Sequence, residues 1–276
     1  MEIGASIMRK MIEVLNEASF KSVLSKPSEG LMAYTYLCLI DWPDGKQRQC
    51  YVKMFAVQHS IGIFNEILGY LLTKAEGLPV ASQAGMLILP DAVRNLVNQP
   101  VASVAFVTSR IEGNTSSSFY HINDMLKFEA LNKILDDWDQ LHHTIAFDEW
   151  VANQDRNLGN LVIDSNSSVT LIDHSNMPVD LVWQPADLDI DLCPKNKLGT
   201  FFRSNATLPQ KHAILKGAER QSDSLLSVTD EINYWAKQLL RDDYRQSLMN
   251  FLECRALSSH DRLSKKYGLL AGMGAA

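Results

Sequence analysis

Three oxygen-bearing side chains stand out by type and spacing. They lie in Trp150-Val-Ala-Asn-Gln-Asp155-Arg-Asn-Leu-Gly-Asn160-Leu-Val-Ile and in the later Leu171-Ile172-Asp173-His174-Ser175. Asp155 and Asn160 are separated by a span that lets a loop turn both side chains into one site. Asp173 closes a short apolar run, and a hairpin from Asn160 to Asp173 would bring its two ends together. Asn160 and Asp173 are then a candidate pair of metal ligands, and Asp155 a candidate base. The chemistry that suits this trio is phosphoryl transfer from ATP. That reaction asks little covalent work of a protein: a carboxylate beside the attacking hydroxyl, and groups that hold Mg²⁺ on the phosphates. Mg²⁺ takes oxygen ligands, usually one or two carboxylates, with phosphates and water completing its shell.

Several elements must position these residues. Residues 31–41 and 49–55 are rich in Tyr, Val, Leu and Ile and flank Trp42-Pro43-Asp44-Gly45, which predicts a β-hairpin. Apolar residues at Ile63, Phe64, Ile67, Leu68, Leu71 and Leu72 have helical spacing over 61–75. Gly77 and Pro79 end that helix. Strands are expected at 85–89 and 101–108, a short helix at 1–14, helices across 122–142, and more helices after about residue 210. A small hairpin is expected from the apolar pieces 160–164 and 168–173, turning at Asp164-Ser165-Asn166-Ser167. The expected fold class is α+β, with a smaller β-rich N-lobe at 1–110 and a mainly helical C-lobe at 111–276. A crevice between two such lobes is a usual place for a ligand.

The Asp-x-x-x-x-Asn element followed by Ile-Asp resembles the catalytic and metal-binding loops of protein kinases. The fuller wording, Asn-Gln-Asp155-Arg-Asn-x-Gly-Asn160-Leu and then Leu-Ile-Asp173-His, is similar to the HipA-like kinases and the related phosphoinositide-kinase-like superfamily. The upstream Asn65-Glu66-Ile-Leu-Gly-Tyr-Leu-Leu-x-x-x-x-Gly77-Leu78-Pro79-Val80 also looks HipA-like. The resemblance covers roughly residues 51–178. It implies a two-lobed protein-kinase-like fold, with Asp155 as catalytic base and Asn160 and Asp173 as Mg²⁺ ligands. Lys53, in Tyr-Val-Lys-Met-Phe, matches the lysine that reaches the nucleotide phosphates, and Glu66 the helix glutamate that orients it. ATP and Mg²⁺ are the implied cofactors. The implied activity is Ser/Thr protein kinase, in a toxin or growth regulator, with a protein substrate and an antitoxin partner. A small-molecule or lipid-headgroup kinase and a nucleotide-binding pseudokinase stay open as alternatives. The chain departs from the pattern in three places. Asn157 stands where many relatives carry His, and His174-Ser175 replaces the Phe-Gly of ordinary protein kinases. Only Pro27-Ser28-Glu29-Gly30 is available as a phosphate loop, which makes Ser28 and Gly30 its candidate residues.

Each of these residues has a plainer reading. Lys53 could be a solvated lysine on an edge strand, Glu66 could face solvent, and an Asp-Arg pair such as Asp155-Arg156 is commonly a surface ion pair. Composition narrows the rest. The 276 residues carry a net charge of −6, with no basic surplus of the kind that nucleic-acid binding needs. The first twenty residues contain acids and no uninterrupted apolar core, unlike a signal peptide. The longest apolar run, 31–40, is too short to span a bilayer. The expectation is a cytoplasmic protein without membrane or nucleic-acid partners, its four cysteines Cys38, Cys50, Cys193 and Cys254 scattered and reduced. His142-His143 has no third ligand spaced for a metal and reads as a surface pair at a helix end. Asp187-Leu-Asp189-Ile-Asp191 lacks the glycine and closing glutamate of a calcium loop, where Leu192 and Leu198 stand. No Gly-x-Ser-x-Gly occurs, which disfavours a Ser/His/Asp hydrolase.

Overall fold

The computed structural model describes residues 10–25, 33–116, 125–203 and 205–269. The chain is α+β and divides into two compact units. One comprises the described residues up to Val57 together with Ser82–Arg110; the other comprises Gln58–Ala81 and the described residues from Ile111 onward.

The first unit is built on a mixed six-stranded sheet. Its strands are β1 (Ile12–Leu15), β2 (Phe20–Ser25), β3 (Ala33–Asp41), β4 (Gln47–Phe55), β5 (Ala84–Ile88) and β6 (Val104–Ser109), in the order β1-β5-β6-β4-β3-β2. Only β1–β5 is parallel. The expected hairpin is β3–β4. Gly45 adopts φ +77°, a conformation that glycine tolerates without strain, and closes the turn with an amide bond to the Trp42 carbonyl at 2.9 Å. Arg48 grips both oxygens of Asp44, at 2.7 and 2.6 Å, and the bond to its guanidinium holds the Asp44 carboxyl down at about 2. Period-two alternation sends Cys38, Ile40, Cys50, Val52 and Met54 into a core shared with Leu87, Ala105 and Val107. Cys38 and Cys50 face each other in register, and burial pushes their thiols up to about 12 and about 11. A short helix, α2 (Asp91–Arg94), follows β5. The helix expected at 1–14 is corrected where it can be compared. Ile12–Leu15 is a strand, because its backbone finds β5 as a pairing partner far along the chain; residues 1–9 lie outside the described residues.

The second unit contains α1 (Ile61–Ala75), the short strand β7 (Asn114–Thr115), α3 (Met125–Asp137), α4 (Leu141–Trp150), β8 (Leu161–Ile163) and β9 (Val169–Leu171). Five further helices follow: α5 (Lys197–Arg203), α6 (Leu208–Lys216), α7 (Gln221–Leu239), α8 (Asp242–Leu257) and α9 (Ser259–Lys266). The strands β7-β8-β9 form an antiparallel sheet. The helical pattern expected across 122–142 is two helices, α3 and α4, broken at Trp138-Asp139.

Helix α1 precedes residue 110 in sequence, yet 58–81 belong to the second unit. The reason is that α1 is apolar nearly all round. Twelve of its fifteen residues are buried, and it packs on α7. It ends in a Schellman motif: the Gly77 amide bonds the Lys74 carbonyl at 3.1 Å and the Leu78 amide the Thr73 carbonyl at 3.0 Å, with Gly77 at φ +72°. Among the described residues no helix is long and apolar enough to cross a membrane.

Candidate active site

The segment that carries Asp155 hangs from the end of α4. Trp150 is fully buried and donates its indole N–H to the Leu252 carbonyl at 2.9 Å. Arg255 of α8 is buried beneath it and donates to the carbonyls of Trp150, Ile190 and Leu192 at 2.8 to 2.9 Å. The bond from Arg255 to the Trp150 carbonyl satisfies an acceptor at the end of α4, where no intrahelical partner exists. Asn153 turns the chain back: its amide N–H reaches the Asp148 carbonyl at 2.9 Å, and its side chain accepts the Asp155 amide at 3.0 Å.

Beyond Asp155 the chain coils tightly. The Asp155 carbonyl accepts the Asn157 amide at 2.6 Å and the Asn160 side-chain amide at 2.8 Å. Asn157 caps the turn Leu158–Asn160 by accepting the Gly159 amide at 2.7 Å. The β8–β9 hairpin follows, and the Ile172 amide bonds the Asn160 carbonyl at 3.1 Å, which brings Asp173 to the base from which Asn160 leaves. Asp155, Asn160 and Asp173 therefore sit at one end of one hairpin. Asp173 adopts φ +59°, a left-handed conformation that aspartate tolerates better than most residues, and accepts the Ser175 hydroxyl at 3.0 Å.

The Asp155 carboxylate has a partner on each oxygen. Lys197, the first residue of α5, forms an ion pair with Oδ1, and the Asn176 amide donates to Oδ2 at 2.8 Å. The plainer reading of Asp155-Arg156 as a surface ion pair does not hold. Arg156 points inward, is fully buried, and pairs with buried Asp148 at 3.3 Å while donating to the Ile172 carbonyl at 2.9 Å. Burial pushes the Asp148 carboxyl up to about 6, against the pull of the Arg156 guanidinium.

Glu66 is buried on α1 rather than facing solvent, and it accepts the His174 amide at 3.3 Å. Its neighbour Asn65 donates to the carbonyls of Ser175 and Leu181 at 2.7 and 3.0 Å and accepts the Trp183 indole N–H at 3.0 Å. One turn on, Gly69 lies directly against His174: a Cβ built on it would stand 2.1 Å from His174 Cβ. Gly69→Ala should therefore destabilise the protein by about 1–3 kcal/mol, the usual range for overpacking, although alanine is the better helix former by about 1 kcal/mol. His174 Cβ is fixed to its backbone and cannot rotate away. A denaturant titration that finds the variant as stable as wild type, or more so, would remove this contact as the reason for Gly69.

Lys53 is half-buried on β4 of the first unit, paired in register with Thr35 and Phe106. Because β4 lies between β3 and β6, Lys53 is not an edge lysine. Ser28 and Gly30 lie outside the described residues. His142 and His143 are half-buried rather than a surface pair: His142 accepts from Arg203 at 2.9 Å, and His143 meets buried Glu76 at 2.5 Å. Among the described residues no three His, Cys, Asp or Glu side chains cluster as a metal site. Asn160 and Asp173 offer an amide oxygen and a carboxylate, a donor set that fits Mg²⁺ sharing its shell with phosphates and water.

Sequence reasoning missed Lys197, Asn176, Asp148 and the role of Asn65. Gly69 carried a signal, since a glycine inside an otherwise apolar helix often marks close approach. Fold and site together define an α+β chain whose small helical-unit hairpin gathers two carboxylates and an amide. No protein-family model matches it, and no curated protein is significantly similar in sequence.

Proposed function

We propose that this chain is an ATP- and Mg²⁺-dependent phosphotransferase with a hydroxyl acceptor, and within that class a Ser/Thr protein kinase of the HipA-like kind that its motifs resemble. The observation that carries the reading is the convergence of Asp155, Asn160 and Asp173 at one end of the β8–β9 hairpin, fixed by the Asn160 amide on the Asp155 carbonyl at 2.8 Å. In this reading Asp155 accepts the proton of the acceptor hydroxyl. The hydroxyl oxygen bonds to the γ-phosphorus as the bond to the β-phosphate oxygen breaks, and ADP leaves with that electron pair. Asn160 and Asp173 would hold Mg²⁺, whose contribution when bound is to neutralise charge on the phosphate oxygens. Lys53 reaches the phosphates by the same resemblance. A two-lobed kinase-like arrangement and an antitoxin partner belong to this proposal.

The metal role predicts that ATP binds much more weakly in EDTA than with Mg²⁺, because Asp173 then faces the phosphates without compensation. Equal affinities by calorimetric titration would take Asn160 and Asp173 out of that role. The acceptor is tested with labelled ATP, supplied to the protein alone, then with lysate proteins, then with aminoglycosides and inositol lipids. Label on protein is the expected result. Label only on a small molecule would replace the protein-kinase reading with a small-molecule kinase. Bound nucleotide with no transfer would favour a pseudokinase.

A further inference from the structure

We propose that Lys197 is a positioning residue for this reaction: its ammonium holds the Asp155 carboxylate in place and offsets that charge while the phosphoryl group passes. The inference rests on the phosphotransferase reading and deepens it. A carboxylate that takes a proton beside a polyphosphate faces two problems. It must be held at a fixed angle to the acceptor, and it repels the phosphates. The neighbouring cation in sequence, Arg156, cannot help, since it is turned inward to Asp148. The structure brings Lys197 to Asp155 across 42 positions of sequence.

The approach is built from buried parts. Asn196, just before α5, is 2% exposed and donates its amide to the Ile145 carbonyl of α4 at 2.8 Å. Its side-chain oxygen accepts the Gly199 amide at 2.7 Å and so caps the first turn of α5. The Lys195 amide bonds Gln154, the residue before Asp155, at 3.3 Å. The start of α5 is thus fastened both to the helix that carries the Asp155 segment and to that segment itself. The Lys197 side chain itself is half exposed. With Lys197 and, at 3.4 Å, the Asn157 side-chain amide on Oδ1, and Asn176 alone on Oδ2, the Oδ2 oxygen keeps a lone pair for the acceptor proton. The proton moves from the acceptor hydroxyl to that lone pair as the acceptor oxygen bonds to phosphorus, ADP departs with the electrons of the broken P–O bond, and the carboxylic acid returns its proton to water.

A pair between two partly exposed groups contributes little to stability. Loss of Lys197 should therefore appear in catalysis and not in melting. The test compares wild type with Lys197→Met and Lys197→Arg, using labelled ATP and lysate protein as acceptor. Lys197→Met should lower kcat by roughly 10- to 100-fold, the scale of a misplaced reacting group. It should leave the melting temperature, the KM for ATP and the affinity for a non-hydrolysable ATP analogue with Mg²⁺ unchanged. Lys197→Arg should recover most of the loss. A second measurement needs no turnover: acetic anhydride labelling of Lys197, read by mass spectrometry, should be several-fold faster in Asp155→Ala than in wild type. Equal labelling rates, or a Lys197→Met variant with wild-type kcat, overturn the inference and leave the phosphotransferase reading standing. Wild type that transfers no label to any acceptor removes the phosphotransferase reading, and this inference with it.

Discussion

Asp155→Asn is expected to lower phosphoryl transfer by roughly 10²–10⁴-fold, the contribution of a positioned general base, with nucleotide affinity nearly unchanged. The substitution is isosteric. The bonds that shape the segment, from the Asn157 main-chain N–H and the Asn160 side-chain amide to the residue 155 carbonyl, do not depend on the carboxylate. What disappears is the proton acceptor and the ion pair with Lys197. A group that meets the acceptor hydroxyl acts on the transition state, so its removal should be seen in kcat and not in nucleotide binding. Single-turnover transfer and calorimetric binding of a Mg²⁺–nucleotide analogue separate the two. Wild-type turnover in the variant would show that Asp155 is not the base.

The largest stability effect is expected at Arg156. Arg156→Ala leaves Asp148, which is fully buried, with the Asn153 amide as its one remaining side-chain donor among the described residues. Breaking a buried ion pair from one side costs about 3–5 kcal/mol. Replacing both members with apolar residues, as in Asp148→Leu with Arg156→Met, should cost less than the sum of the two single losses, since no charge is then stranded. The pH dependence has a definite sign. Burial raises the folded Asp148 carboxyl to about 6, above the unfolded value of roughly 3.9. Its contribution to stability is thus fully present below about pH 4 and is lost as pH rises through about 6. Without Arg156 the folded value rises further, so the gap between variant and wild type should widen from pH 5 to pH 8. Thermal or denaturant melts across that range check it; a gap that narrows with pH would contradict the buried pair.

How far the sequence could be read depended on how local each determinant was. The bounds of α1 were legible because its apolar spacing, Gly77 and Pro79 are all local signals. The two hairpins were legible because turn residues separate short runs of strand formers. The strands β1 and β2 were not. Ile12–Leu15 buries only its two ends and has no alternation to betray it, and β2 meets β3 with register shifts at Ser22 and Ser25. The parallel pairing of β1 with β5 is a long-range match that no local pattern encodes. The same limit divided the site. Asp155, Asn160 and Asp173 lie within one short stretch and could be found by spacing. Lys197 and Asn176 reach Asp155 by folding alone. The plainer reading of Arg156 as a surface partner of Asp155 stayed open because nothing in the sequence announced that Asp148, eight positions before Arg156 on α4, would be buried to receive it.

The three bonds of Asn65 and the contact of Gly69 with His174 also bear on how this site could be controlled. In the proposed reading Glu66 is an orienting glutamate, and a helix that carries one can act as a switch when it is free to swing. Here α1 is latched to the chain that follows Asp173, by side-chain bonds to Ser175, Leu181 and Trp183 and by a glycine with no room for a methyl group. Glu66 is tied to the same segment, its carboxylate accepting the amide of His174, the residue after Asp173. Turning α1 away would break the buried bonds of Asn65 and displace the metal-ligand candidate in the same motion, at a cost of several hydrogen bonds. If the proposed phosphotransferase reading holds, levering this helix would be a costly means of control, and a less costly one would act on what reaches Asp155.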